Sequence, residues 1–260
     1  MGLVDAERFK IDITDHVATV TMAAPPVNAQ DRLFREEAIR IFDALGSSDD
    51  VRAIVLTGEG KVFSAGADLS NRDQVDGEPG GYVRHNKLVR DFLNSVMECP
   101  KPVIAAVNGA AVGGGCVLAL ICDILVVAEE AFLSMTEVDF GLAGGVSYVL
   151  RAFSSSDARL MYYTAKRVTG RELLRMNVAS ICVPRSRVIA EAKGIAETIS
   201  GKVPQAVEAA KRSFGLVGQM TIQDGYRYEQ LQTAALAKTE DTKEALAAFR
   251  EKRKPAFHNR

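Results

Sequence analysis

Apolar and polar residues alternate through two short segments near the start of the chain, 9–14 and 17–22. Strict alternation over six residues is typical of a half-buried strand, and Asp15-His16 between the two segments predicts an antiparallel hairpin. The apolar spacing then changes to three and four residues, which predicts a helix from an Asp31 cap to Leu45.

Continuous apolar runs replace the alternation in the rest of the first half. Such runs, when short and bounded by turn residues, are typical of buried strands, and helical segments separate them here. The strands are predicted at 52–56, 102–107 and 123–128, and the helices at 82–97 and 114–121. The polar segment 70–81, marked by glycine and proline, predicts a surface loop. This order predicts an α/β fold with a largely parallel, helix-covered sheet.

The second half changes character from about Ser154, where Ala, Arg, Lys and Glu dominate with helical periodicity. Only residues 180–183 have an extended pattern there. Helices are predicted at 155–165, 170–176, 186–200, 204–214, 221–236 and 240–251. We therefore predict a core over residues 1–200 that contains the functional site, followed by a helical C-terminal region over residues 201–260.

Composition excludes several classes of function. Lys plus Arg (32) nearly cancels Asp plus Glu (33), for a net charge of −1, which argues against nucleic acid and polybasic membrane binding. The longest apolar stretch, 103–127, is interrupted by Asn108, glycines and Asp123, so it does not predict a membrane span. Asp5 and Glu7 lie where a signal peptide needs apolar residues, and we expect a cytoplasmic protein.

Local sequence motifs exclude further kinds of site. The four cysteines and three histidines show no metal-ligand spacing, so no metal site is predicted. The common nucleotide-binding and serine hydrolase motifs are also missing from the sequence. Two glycine-containing turns remain, at 63–69 and 107–116. Both follow predicted strands, and together they could present backbone N–H groups as an oxyanion hole, in which each donor contributes roughly 10²–10³ in rate. Tight packing of a strand against a turn would also account for these glycines.

These turns belong to a longer pattern that spans nearly the whole chain. Its segments are Pro26–Ala29, Thr57-Gly58, Phe63–Leu69, Lys101–Gly109, the glycine run to Cys116, Cys122-Asp123 and Phe249–Pro255. The pattern resembles the crotonase (enoyl-CoA hydratase/isomerase) superfamily. The resemblance implies a spiral of ββα units with C-terminal helices that trimerise, so a homotrimer or a hexamer is expected.

The resemblance also implies roles for single residues. Ala65 and Gly114 would donate the two backbone N–H groups that hold the thioester oxygen as it becomes an enolate. The backbone near five residues would cradle coenzyme A: Val27, Ala29, Ala67, Asp68 and Leu69. Phe249 and Lys252 would contact the CoA nucleotide, although a solvated basic helix end accounts for Lys252 equally well. Coenzyme A would enter as part of the acyl-CoA substrate, with no tightly bound cofactor.

The catalytic acids depart from the family's hydratase pattern. Hydratases of the family use two glutamates twenty residues apart, and the corresponding positions here are Val117 and Glu137. A lone carboxylate suits a Δ3–Δ2 enoyl-CoA isomerase, because one base can remove the C2 proton and return it at C4. Val117 would form an apolar wall beside the acyl group and raise the pKa of Glu137.

The role of Glu137 and the reaction itself stay open at the level of sequence. Glu137 could be a surface or capping residue, or the protein could be a hydratase that uses Glu137 alone or with Asp139. A protein that binds CoA esters without turnover is also compatible with the sequence. Tyr148 and His85 could line the acyl site, but a half-buried tyrosine and a solvent-facing histidine are the simpler interpretations, as is a solvated carboxylate for Asp139.

Overall fold

The computed structural model describes residues 5–70, 77 and 79–259. Its strands are β1 (Phe9–Thr14), β2 (Val17–Met22), β3 (Ala29–Gln30), β4 (Ala53–Gly58), β5 (Val62–Ser64), β6 (Gly66–Ala67), β7 (Val103–Val107), β8 (Ala110–Val112), β9 (Ile124–Ala128), β10 (Phe132–Ser134), β11 (Val168–Thr169) and β12 (Ile181–Val183). Most of the predicted loop 70–81 lies outside the described residues.

The helices occupy mainly the second half of the chain. They are α1 (Arg32–Gly46), α2 (Gly81–Met97), α3 (Gly114–Leu120), α4 (Val146–Ala152), α5 (Ser155–Thr164), α6 (Gly170–Arg175), α7 (Arg185–Ser200), α8 (Pro204–Leu216), α9 (Ile222–Leu236) and α10 (Glu240–Glu251), with 3₁₀ helices at Glu137–Phe140 and Val217–Gln219. In the described part of the chain, none of them has the length and apolar content needed to cross a bilayer.

Strand order shows a spiral path. The large sheet runs β1-β2-β4-β7-β9-β12, a second sheet runs β11-β10-β8-β5, and β3 pairs with β6. The chain therefore passes from the large sheet to the second one three times, through β4–β5, β7–β8 and β9–β10. Within the large sheet, only the β1–β2 pair is antiparallel among the described strands. The predicted α/β fold, a crotonase-like spiral, is confirmed.

Burial explains why the central strands were readable from the sequence. All residues of β4 and β7 are buried, and α7 covers the large sheet with Val188, Ala192 and Ala196. Asp31 caps α1 by accepting a hydrogen bond from the Phe34 N–H at 2.7 Å. The expectation that only residues 180–183 are extended after Ser154 is wrong, because β11 pairs with β10; a two-residue strand is too short to show a period.

Hydrogen bonds to the charged side chains of Asp241 and Arg52 hold residues 257–259 in place. Asp241 is 2% exposed, and its carboxylate accepts the backbone N–H groups of His258 and Asn259, both at 2.8 Å. Arg52 donates to the carbonyl oxygens of Ser200 and Phe257. These bonds hold the end of the chain against the core, whereas the division into regions 1–200 and 201–260 stays a prediction.

Candidate active site

The two glycine-containing turns meet at backbone contact. Gly66 has φ +85°, and a Cβ there would collide with the Val112 carbonyl oxygen and lie 2.8 Å from the Gly114 nitrogen. Only glycine combines this left-handed backbone with this closeness. The turn before α3 therefore lies directly against β6.

The identity of the first N–H donor corrects the sequence prediction. The N–H of Ala65 donates to the Val27 carbonyl oxygen at 3.0 Å and is not free for a ligand. The Asp68 N–H points to β3, where it donates to the Gln30 carbonyl oxygen at 3.4 Å. Since successive N–H groups alternate along a strand, that of Ala67 points away from β3. Ala65 is therefore the wrong donor, and the N–H of Ala67, two residues further along, is the candidate donor among the described residues.

The second donor lies where it was expected. Gly114 is the first residue of α3, so its N–H has no acceptor within the helix. The Ala67 nitrogen lies 3.4 Å from the point that a Cβ on Gly114 would occupy. The two N–H groups are thus neighbours, as an oxyanion hole requires.

A cavity of about 360 Å³ opens beside these donors. Its lining residues are Ala65, Ala67, Leu69, Val112, Gly113, Gly114, Thr136, Glu137, Asp139, Phe140 and Leu142. The N–H donors and two carboxylates, those of Glu137 and Asp139, therefore line the same cavity.

Glu137 occupies the start of the 3₁₀ helix and is turned toward the glycine run. Its Oε1 lies 2.9 Å from the point that a Cβ on Gly113 would occupy, and its Oε2 is buried without a hydrogen-bond partner among the described residues. Burial raises the pKa of Glu137 above its ordinary value, against the effect of its own backbone N–H and that of Thr136. A carboxyl group with a raised pKa next to paired donors can act as an acid and a base in turn.

Comparison with known proteins identifies the family. The family model described as "Enoyl-CoA hydratase/isomerase" matches residues 12–260. This chain belongs to that family. Among solved structures, enoyl-CoA hydratase from Bacillus anthracis superposes with a TM-score of 0.91 at 32% identity, covering 98% of this chain and 100% of that one.

The relatives within the enoyl-CoA hydratase/isomerase family differ in the reactions that their names give. The (E)-benzylidenesuccinyl-CoA hydratase of Thauera aromatica is 33% identical over 95% of this chain and 97% of its own. The (7aS)-7a-methyl-1,5-dioxo-2,3,5,6,7,7a-hexahydro-1H-indene-carboxyl-CoA hydrolase of Rhodococcus jostii is 32% identical over 94% of this chain and 95% of its own. Family membership therefore identifies an acyl-CoA enzyme without fixing its reaction.

The position of the family's first glutamate is closed off in this member. Val117 is 4% exposed and does not line the described cavity, contrary to the expectation that it contacts the acyl group. A Cβ on Gly145, which has φ +86°, would lie 2.9 Å from Val117 Cγ2 and 2.8 Å from Met135 Cε. Gly145 is thus packed directly against the Val117 side chain.

Tyr162 holds the loop 141–145 in place, although no sequence pattern indicated this residue. The Tyr162 hydroxyl donates to the Gly144 carbonyl oxygen at 2.8 Å, and the Leu142 N–H donates to the Glu137 carbonyl oxygen at 2.8 Å. Burial and the charge of Glu137 raise the pKa of Tyr162. Tyr148, a candidate from the sequence, is instead packed against the core. Tyr162 carries no local motif, so only its place in the fold identifies it.

The cavity lining also distinguishes the two remaining acyl-site candidates, Asp139 and His85. Asp139 is exposed and lines the described cavity together with Glu137. His85 is not among the lining residues; its ring contacts Tyr82, and burial together with the charge of Arg35 lowers its pKa.

The residues expected to hold coenzyme A form two groups. Val27 and Leu69 are exposed near the cavity, with exposed fractions of 36% and 38%, and Ala29 pairs with Gly66. Asp68 is turned to its own loop: its carboxylate accepts the Ser70 N–H at 2.9 Å, and this bond lowers the pKa of Asp68. The role of this group in CoA binding stays a prediction.

Phe249 and Lys252 form the second group, at the end of α10. Phe249 is 83% exposed, and neither residue lines the cavity in the described chain. Their contact with the CoA nucleotide stays a prediction. Nearby, Arg253 pairs with Glu244 at 2.5 Å and with Glu251 at 2.6 Å, so it is already neutralised within the chain.

No metal site emerges from the residues that the structure describes, since none of their His, Cys, Asp and Glu side chains gather in groups of three or more. The buried thiols of Cys116 and Cys122 have pKa values raised mainly by burial, so they are poor nucleophiles. The cavity carboxylates of Glu137 and Asp139 are therefore the candidate acid–base groups.

The raised pKa of Glu137 predicts a pH-dependent cost in stability. The folded protein binds this proton more tightly than the unfolded chain, so the contribution of Glu137 to the free energy of unfolding falls as the pH rises from 4.5 through the raised pKa. Glu137→Gln removes this loss. We expect the variant to gain melting temperature over the wild type between about pH 4 and about pH 8 in thermal unfolding. A difference in melting temperature between the variant and the wild type that stays constant across this pH range would contradict the raised pKa.

Proposed function

We propose that this protein is a Δ3–Δ2 enoyl-CoA isomerase with Glu137 as its single acid and base. The observation that carries the proposal is the asymmetry of the site. A half-buried carboxyl group with a raised pKa lies beside the N–H donors, whereas the position of the family's first glutamate is a buried valine packed against Gly145.

The proposed reaction moves one proton and one double bond. The Glu137 carboxylate removes a C2 proton from a 3-enoyl thioester, and the electron pair of that C–H bond moves toward the thioester oxygen to form a dienolate. The N–H groups of Ala67 and Gly114 stabilise the negative oxygen. The protonated Glu137 then gives the same proton to C4, so the double bond ends between C2 and C3. No water and no redox partner are consumed.

Hydration is the second candidate, and a specific observation favours it. Asp139 lines the same cavity as Glu137, so two carboxyl groups are available to activate a water and to deliver a proton. Most relatives also carry hydratase names, including the Thauera aromatica protein. In this scheme Asp139 takes the part of the acid that is missing at Val117.

Asp139→Asn separates the two candidates. If Glu137 works alone, the rate of 3-enoyl-CoA isomerisation in the variant stays within about threefold of the wild type. Asp139 transfers no proton in that mechanism, so replacing its carboxylate by an amide leaves the reaction intact. If Asp139 is the second acid, hydration of 2-enoyl-CoA falls by roughly 10²–10⁴. Both rates are read from the absorbance of the conjugated thioester.

The function itself is tested by offering 3-enoyl-CoA and 2-enoyl-CoA separately over a range of chain lengths. An absorbance rise with the first substrate supports the isomerase, and a decay with the second supports the hydratase. Binding of both CoA esters without change in either would reject both reactions and favour a CoA-ester-binding protein without turnover.

Assembly and location belong to the same proposal. Large apolar side chains are exposed on the C-terminal helices, among them Phe214 at 82%, Ile222 at 88% and Phe249 at 83%. Such exposure in the isolated chain is typical of surfaces covered by another subunit. We propose a cytoplasmic homotrimer or hexamer that takes coenzyme A only as part of its substrate; sedimentation measurements distinguish the two assemblies.

A further inference from the structure

The side chain of Gln30 lies between the two turns that carry the N–H donors. It is 3% exposed, although an amide side chain is usually solvated. Its Nε2 donates to Ser64 Oγ at 3.4 Å, in the strand just before Ala65. Its Oε1 lies 2.7 Å from the point that a Cβ on Gly114 would occupy. One buried amide therefore lies against both of the turns that carry the donors.

The orientation of this amide follows from the bonds of Ser64. The Ser64 hydroxyl donates its only proton to the Asn28 carbonyl oxygen at 2.7 Å, and its oxygen accepts the Gly66 N–H at 3.2 Å. The hydroxyl oxygen can therefore only accept from Gln30, so Nε2 must face Ser64. Oε1 is consequently the atom that faces Gly114.

Backbone bonds tie the same residue to the first donor. Gln30 forms part of β3, which pairs with β6, and its carbonyl oxygen accepts the Asp68 N–H next to Ala67. The main chain of Gln30 thus fixes which way the Ala67 N–H points. Its side chain meets the backbone that carries the Gly114 N–H.

We propose that Gln30 is a positioning residue of the oxyanion hole: its amide sets the distance between the Ala67 and Gly114 N–H groups. The inference rests on the proposed enolate chemistry. An oxyanion needs donors within about 2.7–3.1 Å, so a small change in the spacing of the two turns weakens both hydrogen bonds. A substrate with a neutral carbonyl is affected less than the developing enolate, because charge strengthens hydrogen bonds.

The test combines kinetics with a spectroscopic probe. Gln30→Leu keeps the approximate volume and removes the amide, and Gln30→Ala removes the spacer altogether. The probe is a conjugated aryl-enoyl-CoA thioester, whose absorbance shifts to longer wavelength when the donors polarise its carbonyl. We expect both variants to reduce this red shift measurably and to lower kcat about tenfold or more, with KM within about threefold.

Gln223→Leu supplies the matched control. Gln223 lies exposed on α9, far along the chain from the donor turns, so the same chemical change there leaves kcat and the red shift as in the wild type. Melting temperatures are recorded for each variant. If Gln30→Leu does not fold, Gln30→Met carries the test, because an unbranched side chain fits the same path.

A double-mutant cycle with Ser64→Ala shows whether the amide acts through Ser64. The inference predicts that the red-shift losses of Gln30→Leu and Ser64→Ala are not additive. A full wild-type red shift together with unchanged kcat in folded Gln30→Leu would overturn it. A wild-type protein that shifts the probe but isomerises nothing would instead reject the isomerase, and the red shift alone would then decide the role of Gln30.

Discussion

Glu137→Gln is expected to lower kcat for 3-enoyl-CoA isomerisation by roughly 10²–10⁴, the usual contribution of a general acid–base group. Glutamine has the same shape but cannot take a proton, and in our proposal no other group reaches both C2 and C4. Acyl-CoA affinity stays within about threefold, since the N–H donors and the cavity walls are unchanged. Stopped-flow absorbance with saturating substrate measures the rate, and calorimetric titration measures the affinity.

Glu36→Gln is the control for this change. Glu36 lies on the surface of α1, where it pairs with Arg32 at 2.7 Å in the exposed i,i+4 manner. Exposed pairs contribute little to stability, so the control retains wild-type kinetics. Isomerase activity that survives in Glu137→Gln would show that the proton is carried by another group, and Asp139 would be the first to replace next.

Gly66→Ala is expected to dismantle the oxyanion hole. The new Cβ would collide with the Val112 carbonyl oxygen and approach the Gly114 nitrogen to 2.8 Å, so the turns must separate. Loss of a single donor lowers kcat by roughly 10²–10³. The left-handed backbone at position 66 adds about 1–2 kcal/mol of destabilisation.

Gly60→Ala is the control that measures the destabilisation by a left-handed alanine without a collision between the two turns. Gly60 also has a left-handed backbone, at φ +78°, but a Cβ there meets nothing within 4 Å. Gly60→Ala should lose only the backbone part, about 1–2 kcal/mol, in thermal unfolding and keep its kcat. Equal kinetic losses in the two variants would mean that contact between the turns does not shape the site.

The sequence was most informative where periodicity is long or spacing is preserved. The hairpin and the six C-terminal helices were located within about two residues, because apolar positions recur along them with the spacing of a strand or a helix. The resemblance to the crotonase superfamily identified Glu137, because its interval of twenty residues from Val117 matches that between the two glutamates of the family's hydratases. Its place beside the donors depends on a 3₁₀ helix that no sequence period revealed.

The errors at the site have a common physical origin. Ala65 and Ala67 are two residues apart on short segments, and which N–H is free depends on how β3 pairs with β6. That pairing joins residues more than thirty positions apart, and two-residue strands leave no alternation to read. Tyr162 and Gln30 were missed for the same reason, since each acts on a turn distant in sequence.

The packing of Gly145 over Val117 also constrains how this protein could evolve. Val117→Glu alone would place a carboxylate at a buried position packed against Gly145, where not even an added Cβ fits between Gly145, Val117 Cγ2 and Met135 Cε, and which is not among the lining residues of the described cavity. A lineage that acquired a glutamate at position 117 first would therefore carry a buried, unpaired acid before it gained any catalytic advantage. The loop 141–145 has to open before the substitution becomes useful, so the order of mutations is set by packing, and a single change does not restore the two-glutamate site.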